Sequence, residues 1–147
     1  DLPPGTGDVH LSIVQQIPLT AALIVSTPQP VALIDAAKAV AMFQLPAINV
    51  PILGFVENMA WFSPSESSNE KMYLFGQDGT KNMAADLSLP LIAQVPLIQG
   101  IRESGDVGRP AIMQEDTAMQ HHLTEFIGNF EREMRMLPFR MKKSTSE

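Results

Sequence analysis

The stretch DLPPGTGD, residues 1–8, has the composition of a loop that leaves a buried strand and meets an anion. The carboxylate of Asp1 can hold a metal-bound water, and the two prolines stiffen the exit from a strand. The glycines allow backbone N–H groups to approach a phosphate. Because a strand would have to precede Asp1, we expect the chain to be the back part of a nucleotide-binding domain. As a pattern alone, Pro-Pro-Gly-x-Gly is more often a plain rigid turn.

The composition limits the classes of function. With 147 residues and 45% hydrophobic residues, the chain has the size of one globular domain. Its net charge of −6 argues against nucleic acid as a partner. The apolar runs are short and broken by proline, so no membrane-spanning segment is predicted. Cysteine is absent, which excludes disulfides, thiolate zinc sites and a cysteine-ligated iron–sulfur cluster on this chain.

Three continuous apolar segments predict an α/β fold. Residues 22–25, 52–56 and 91–95 have the pattern of parallel strands that are covered on both faces. Residues 30–43 between the first two strands predict a helix, and Pro30 suits its first turn. A strand, a helix and a strand at this spacing predict a right-handed βαβ unit.

The remaining segments complete the predicted order. Short helices are predicted over residues 9–16 and 79–87, and a longer one over residues 116–136. An aromatic-rich stretch with a polar centre predicts a hairpin-like insertion over residues 59–75. The end of the chain, residues 137–147, is predicted to be a polar tail.

Candidate ligand-binding residues follow the predicted strands, where open parallel sheets bind ligands. The carboxamide of Asn58 offers a donor and an acceptor side by side, which matches the N6 and N7 edge of adenine. Pro96, Leu97 and Ile98 follow the third strand and could pack against the purine face. Taken alone, Asn58 more often caps a strand end or the next turn. The three histidines have no partners at a metal-like spacing and are interpreted as surface or core residues.

In order along the chain, these motifs resemble the Mrp/ApbC family of P-loop ATPases, which are cytosolic iron–sulfur cluster carriers of the MinD/ParA-like class. The segments that carry the resemblance are DLPPGTGDV (1–9), VSTPQ (25–29), PILGFVENM (51–59), FG (75–76), VPL (95–97) and IRESGDVGRP (101–110). The resemblance implies the C-terminal portion of a doubly wound, mostly parallel P-loop sheet with a hairpin-like insertion. The domain would then be partial, over residues 1–136, with its N-terminal half absent.

The resemblance also implies roles for site residues. Asp1 is implied to end the Walker B strand and to support Mg²⁺ through water. Gly5 and Asp8 are implied to belong to the switch loop, in which the Gly5 N–H senses the γ-phosphate of ATP. Asp1, Gly5 and Asp8 are therefore the catalytic candidates. Asn58 is implied to recognise adenine, and residues 96–98 to line the base pocket. The family resemblance further implies a cytoplasmic homodimer that acts on iron–sulfur apo-proteins or scaffold proteins, without nucleic acid or membrane.

Two family features are missing from this sequence. It has no G-x-x-x-x-G-K-[ST] loop, and GQDGTKN at residues 76–82 has the wrong spacing. The family's Cys-x-x-Cys would follow Trp61 and Phe62, where this chain has SPSESS at residues 63–68. We therefore expect no iron–sulfur ligand on this chain.

These observations predict part of an ATP-binding and ATP-hydrolysing protein that acts in iron–sulfur cluster assembly or transfer. One alternative is a partition or positioning ATPase of the MinD/ParA type, and another is a non-catalytic interaction domain. The chain by itself is expected to have no ATPase activity and weak nucleotide affinity. It is also expected to expose a sheet edge and to self-associate.

Overall fold

The computed structural model describes residues 7–64, 70–113 and 117–144, apart from the side chains at 117–119 and 142–144. These residues form three strands, five helices and one short 3₁₀ turn. In chain order the elements are α1 (Asp8–Gln16), β1 (Ala22–Ser26), α2 (Pro30–Phe43), β2 (Ile52–Asn58), α3 (Gly79–Asp86), β3 (Leu91–Val95), α4 (Gln99–Asp106), the 3₁₀ turn (Ala111–Met113) and α5 (Thr117–Ser144).

The three strands form one parallel sheet in the order β1-β2-β3, which confirms the predicted α/β fold. β2 is central and is buried along its length except at its last residue, Asn58. β1 lies at an edge of the described sheet, and Val25 on it is 60% exposed. The expected exposed edge is therefore present in the described part of the chain.

Two apolar clusters hold the helices against the sheet. In one, Phe55 of β2 packs with buried residues of α2 such as Val40 and Phe43. In the other, Leu53 and Val56 of β2 pack with residues of β3 and α5. β2 thus contributes to both clusters, which explains why its sequence is a continuous apolar run rather than an alternating one.

The predicted end of the last helix at residue 136 is wrong, because α5 continues to Ser144. Leu137 is 5% exposed and belongs to the cluster that contains Leu53. One turn further on, the Arg140 guanidinium donates a hydrogen bond to the Leu53 carbonyl oxygen at 3.0 Å. Leu137 and Arg140 thus tie the last turns of α5 to the sheet.

The predicted insertion has paired sides. Phe62 and Met72 form an antiparallel bridge in which each N–H donates to the other carbonyl at 2.8 Å. Trp61 then meets α5, where its ring lies edge-on to His122 with 5.8 Å between centroids. The insertion therefore packs against the middle of α5. Within the described residues, no helix is both long and apolar enough to cross a membrane.

The packing of α5 yields a stability prediction. Leu137→Ala should lower the free energy of unfolding by about 2–5 kcal/mol, because it leaves a cavity beside the sheet. The neighbouring Met136 is 48% exposed, so Met136→Ala should change stability by only about 0.5 kcal/mol. Urea unfolding followed by circular dichroism measures both. Equal losses in the two variants would contradict the packing of α5 described here.

Candidate functional site

The carboxyl ends of the three parallel strands meet at one edge of the sheet. The register pairs Ser26 with Glu57 and Asn58 with Val95. The segments that follow the strands therefore begin at the same level. In open parallel sheets ligands bind at this edge, so the candidate site is built from the strand ends upward.

A buried carboxylate lies at the centre of this edge. The Glu57 side chain is fully buried, and its Oε1 accepts a hydrogen bond from the Thr80 backbone N–H at 2.8 Å. Its Oε2 accepts a hydrogen bond from Nε2 of Gln94. Because Thr80 lies in the first turn of α3, the carboxylate also meets the positive end of that helix. These partners offset the cost of removing the charge from water.

The side chain of Gln94 joins Glu57 to a second carboxylate. Nε2 of Gln94 also donates to Oδ1 of Asp78 at 2.9 Å, and Nζ of Lys81 lies 3.3 Å from the same oxygen. The hydrogen bond from Gln94 is the main cause that lowers the pKa of Asp78; Lys81 also lowers it, whereas burial opposes the shift. Asp78 is therefore ionised at neutral pH, and one amide group bridges two carboxylates.

The loop before α3 fits closely against the end of β1. A Cβ atom at Gly79 would lie 2.3 Å from the Pro28 carbonyl oxygen, so a larger residue would force the backbone apart. Asp78 just before it has a φ of 55°, in the left-handed region. Oγ1 of Thr80 donates to the Thr27 carbonyl at 3.2 Å. The start of α3 thus connects the ends of all three strands.

The predicted adenine-binding residues lie beside this network. Asn58 is half-buried, and its Oδ1 accepts a hydrogen bond from the Met59 N–H at 2.9 Å. The local capping interaction is therefore present. A carboxamide oxygen has a second lone pair and the amide group has two N–H donors, so Asn58 can still offer a donor and an acceptor to a ligand.

The segment after β3 is fixed next to Asn58. Since Asn58 pairs with Val95, Pro96 begins one residue beyond this pair. Pro96 is buried, whereas Leu97 and Ile98 are half-buried. The Leu97 N–H donates to the Trp61 carbonyl at 2.7 Å. The structure therefore brings together the four residues that the sequence proposed for a base pocket.

The catalytic candidates are less completely described. Asp8 lies in the first turn of α1 and is exposed. Asp1 and Gly5 lie outside the described residues, so their roles stay predictions. The part of the chain that the structure describes contains no group of three or more His, Asp or Glu side chains that could hold a metal ion. The whole chain lacks cysteine, so its residues do not fit an iron–sulfur cluster.

Comparison with known proteins gives the family. The model of the NUBPL iron-transfer P-loop NTPases matches residues 1–130. The chain belongs to this family. It is 46% identical over 115 residues to the mouse iron–sulfur cluster transfer protein NUBPL, which covers 78% of this chain and 35% of the mouse protein. It is 43% identical over 125 residues to an iron–sulfur cluster carrier protein of Synechocystis, covering 84% and 35%.

Solved structures agree on the fold. A nucleotide-binding protein of Archaeoglobus fulgidus in complex with ADP matches with a TM-score of 0.66 and 33% identity, over 78% of this chain and 46% of that one. The cell division ATPase MinD of Pyrococcus furiosus matches with a TM-score of 0.64 and 22% identity, over 90% and 50%, which shows the fold alone. The chain spans about a third of the length of its curated relatives.

Sequence reasoning about this family member missed the buried network. Glu57 was noted only as the neighbour of Asn58 at the strand end, and no role was predicted for Asp78 or Gln94, although Glu57 and Gln94 carry a visible signal. Glu57 is a charged residue at the end of an otherwise apolar strand, and Gln94 interrupts the apolar run of β3. A polar side chain at such a position needs a buried partner. The identity of the partner depends on how α3 packs, which the sequence pattern does not specify.

The network yields a prediction with a compensating variant. Glu57→Gln should lower the free energy of unfolding by about 1–3 kcal/mol, because an N–H group of the new amide would face Nε2 of Gln94 and leave it unpaired. In the double variant Glu57→Gln with Asp78→Asn, the Gln94 amide can turn over and accept from both neighbours. Part of the lost stability should therefore return, as a double-mutant cycle by urea unfolding would measure. Additive losses would contradict the bridging role of Gln94.

Proposed function

We propose that the protein containing this chain binds ATP and that Asn58 and residues 96–98 form its adenine pocket. The observation that carries the proposal is the pairing of Asn58 with Val95, which sets the carboxamide beside the apolar segment after β3. The Archaeoglobus relative in complex with ADP supports a nucleotide as the ligand.

In this proposal the carboxamide and the apolar segment divide the recognition of the base. Nδ2 of Asn58 donates to N7 of adenine, and the free lone pair of Oδ1 accepts from the N6 amino group. Leu97 and Ile98, which are half-buried, cover the purine face and exclude water. The hydrogen bond between Glu57 and Gln94 joins β2 to β3 just before Asn58 and Pro96, and so keeps the two sides of the pocket at a fixed spacing.

The phosphate end of the nucleotide is proposed from family membership. Asp1 has the oxygen ligands that suit a hydrated Mg²⁺ ion, which would neutralise charge on the phosphates. The Gly5 N–H would contact the γ-phosphate, and Asp8 would end the same loop. The chain has no Walker A lysine loop, so the cradle for the phosphates must come from a part of the protein outside these 147 residues. Hydrolysis then depends on the two parts closing around ATP.

We further propose that the protein serves iron–sulfur cluster transfer, the activity named for its mouse and Synechocystis relatives. The cluster is cargo, and this chain offers it no thiolate. Its ligands would come from another part of the protein or from a partner. A homodimer, iron–sulfur apo-proteins or scaffolds as partners, and a cytoplasmic location remain proposals from the same resemblance. MinD shares only the fold at 22% identity, so no observation favours a positioning ATPase.

The nucleotide part is tested in the protein in which this chain is naturally encoded. We expect Mg²⁺-dependent ATP hydrolysis, and Asn58→Ala should raise the KM for ATP by about tenfold, the discrimination of one bidentate base contact. The KM for GTP should change much less. Leu87→Ala, on an exposed residue that follows α3, serves as the control. Absence of ATP hydrolysis, or equal changes for ATP and GTP, would contradict the proposal.

The cargo part is tested separately. Anaerobic reconstitution of this 147-residue chain with iron and sulfide should give no visible cluster absorbance, because the ligands are lacking. The protein in which the chain is naturally encoded should bind iron, alone or together with an apo-protein partner. Iron bound to the isolated chain would contradict the ligand assignment. No iron on the natural protein or its complex would contradict cluster transfer and leave the ATPase proposal intact.

A further inference from the structure

A cavity lies beside β3, between the insertion and the middle of α5. It has a volume of about 360 Å³ and is bounded by residues 91–94 of β3, by the insertion and by the middle of α5. Side chains from three separate elements therefore enclose it. Small-molecule sites commonly have volumes of about 300–1,000 Å³, so the cavity is large enough for a small organic ligand.

The insertion contributes an aromatic ring and a cation to the cavity. Nζ of Lys71 lies 3.8 Å from the centroid of the Trp61 ring. Trp61 also contacts His122 of α5, which in turn lies 5.7 Å from His121 between ring centroids. One lysine and one histidine therefore contact the tryptophan, and a second histidine contacts the first.

The remaining wall combines apolar and polar groups. Phe126 supplies an apolar surface, and Glu125 is the one carboxylate among the described lining residues. Asn129 donates from Nδ2 to the Ile92 carbonyl of β3 at 3.0 Å, which fixes α5 along this strand. The cavity thus combines apolar surface with several convergent polar groups, which can hold and orient a small molecule.

The local charges favour an anion. Burial lowers the pKa of His122, and the positive charges of His121 and Lys71 lower it further, while Glu125 opposes them. The lowered pKa keeps His122 neutral near neutral pH, so Lys71 is the cation among the described lining residues. An anion bound beside Lys71 would favour protonation of His122, which would add a second positive charge to the site.

We propose that this cavity binds a small organic anion, a carboxylate or a phosphate ester on an apolar body. The charged group lies near Lys71 and His122, and the apolar body lies against Phe126 and the β3 backbone. The site is distinct from the adenine pocket, but it touches the buried network through Gln94, whose side chain bridges Glu57 and Asp78. The inference does not depend on ATP binding.

The test uses the fluorescence of Trp61, the single tryptophan of the chain. The 147-residue chain is titrated with benzoate, phenyl phosphate and benzylamine, which share an aromatic body and differ in charge. We expect a saturable change with an anion and none with benzylamine. A response to benzoate alone or to phenyl phosphate alone identifies the carboxylate or the phosphate ester as the ligand class. No saturable response, or equal binding of benzylamine, would overturn the proposal.

Two variants are expected to change the anion affinity in opposite directions. Damage to the fold would weaken binding in both, so it cannot produce this pattern. Lys71→Met should weaken binding of the responding anion by about tenfold, which corresponds to one charge-assisted hydrogen bond. Glu125→Gln should strengthen it by about threefold, because the carboxylate repels the anion. Lys38→Met, on an exposed residue of α2, is the matched control and should change nothing. Unchanged affinity in Lys71→Met, or weaker binding in Glu125→Gln, would overturn the proposal.

The pH dependence adds a second readout. Protonation of His122 adds a positive charge beside Lys71 and His121 and opposite Glu125, so affinity for the anion should rise as the pH falls below the ordinary histidine range. His122→Gln should reduce this rise, because it removes the imidazole that borders the cavity. A wild-type affinity that stays constant between about pH 5 and 8 would overturn the role of His122.

Discussion

The structure depends on the burial of one carboxylate. Glu57 is the penultimate residue of the central strand and is fully buried, and α3 and β3 each bring a hydrogen-bond donor to its carboxyl group. A buried ion pair or hydrogen-bonded charge adds little net stability compared with an apolar residue, but it tolerates few alternative arrangements. The carboxylate therefore fixes where α3 begins and how β3 is placed beside β2. Both constraints act on the edge of the sheet at which Asn58 and Pro96 meet.

Two features of the surrounding backbone follow from that arrangement. The start of α3 must approach the end of β1 closely, and Gly79 permits a contact with the Pro28 carbonyl that a Cβ would prevent. The register of β2 and β3 then brings Asn58 level with Val95. The cavity between β3, the insertion and α5 touches this network through Gln94, whose amide bridges Glu57 and Asp78.

The strands could be predicted because each is a continuous apolar run, and most helices because they lie between such runs. β3 was located at its observed ends, and β2 was predicted within two residues of its observed end, since continuous apolar runs are hard to mistake in parallel sheets. α4 was not predicted, because its sequence consists mainly of glycines and polar residues and has no apolar stripe. Its visible helical signal is the spacing of Arg102 and Asp106, which lie one turn apart and form an exposed ion pair. The end of α5 was misplaced because the contacts of Leu137 and Arg140 with the sheet depend on tertiary packing. The four candidate base-pocket residues were proposed from their positions at the strand ends and stay a prediction, whereas the partners of Glu57 depend on tertiary packing.

The central claim is that the strand ends of this chain hold an adenine site. The most direct measurement is a titration of the isotopically labelled chain with ADP and with GDP at millimolar concentration, followed by amide NMR. We expect ADP to shift the signals of Asn58, including its side-chain amide, and of Leu97 and Ile98, and GDP to shift them less. Shifts that lie elsewhere, equal responses to ADP and GDP, or no response to ADP would contradict the claim.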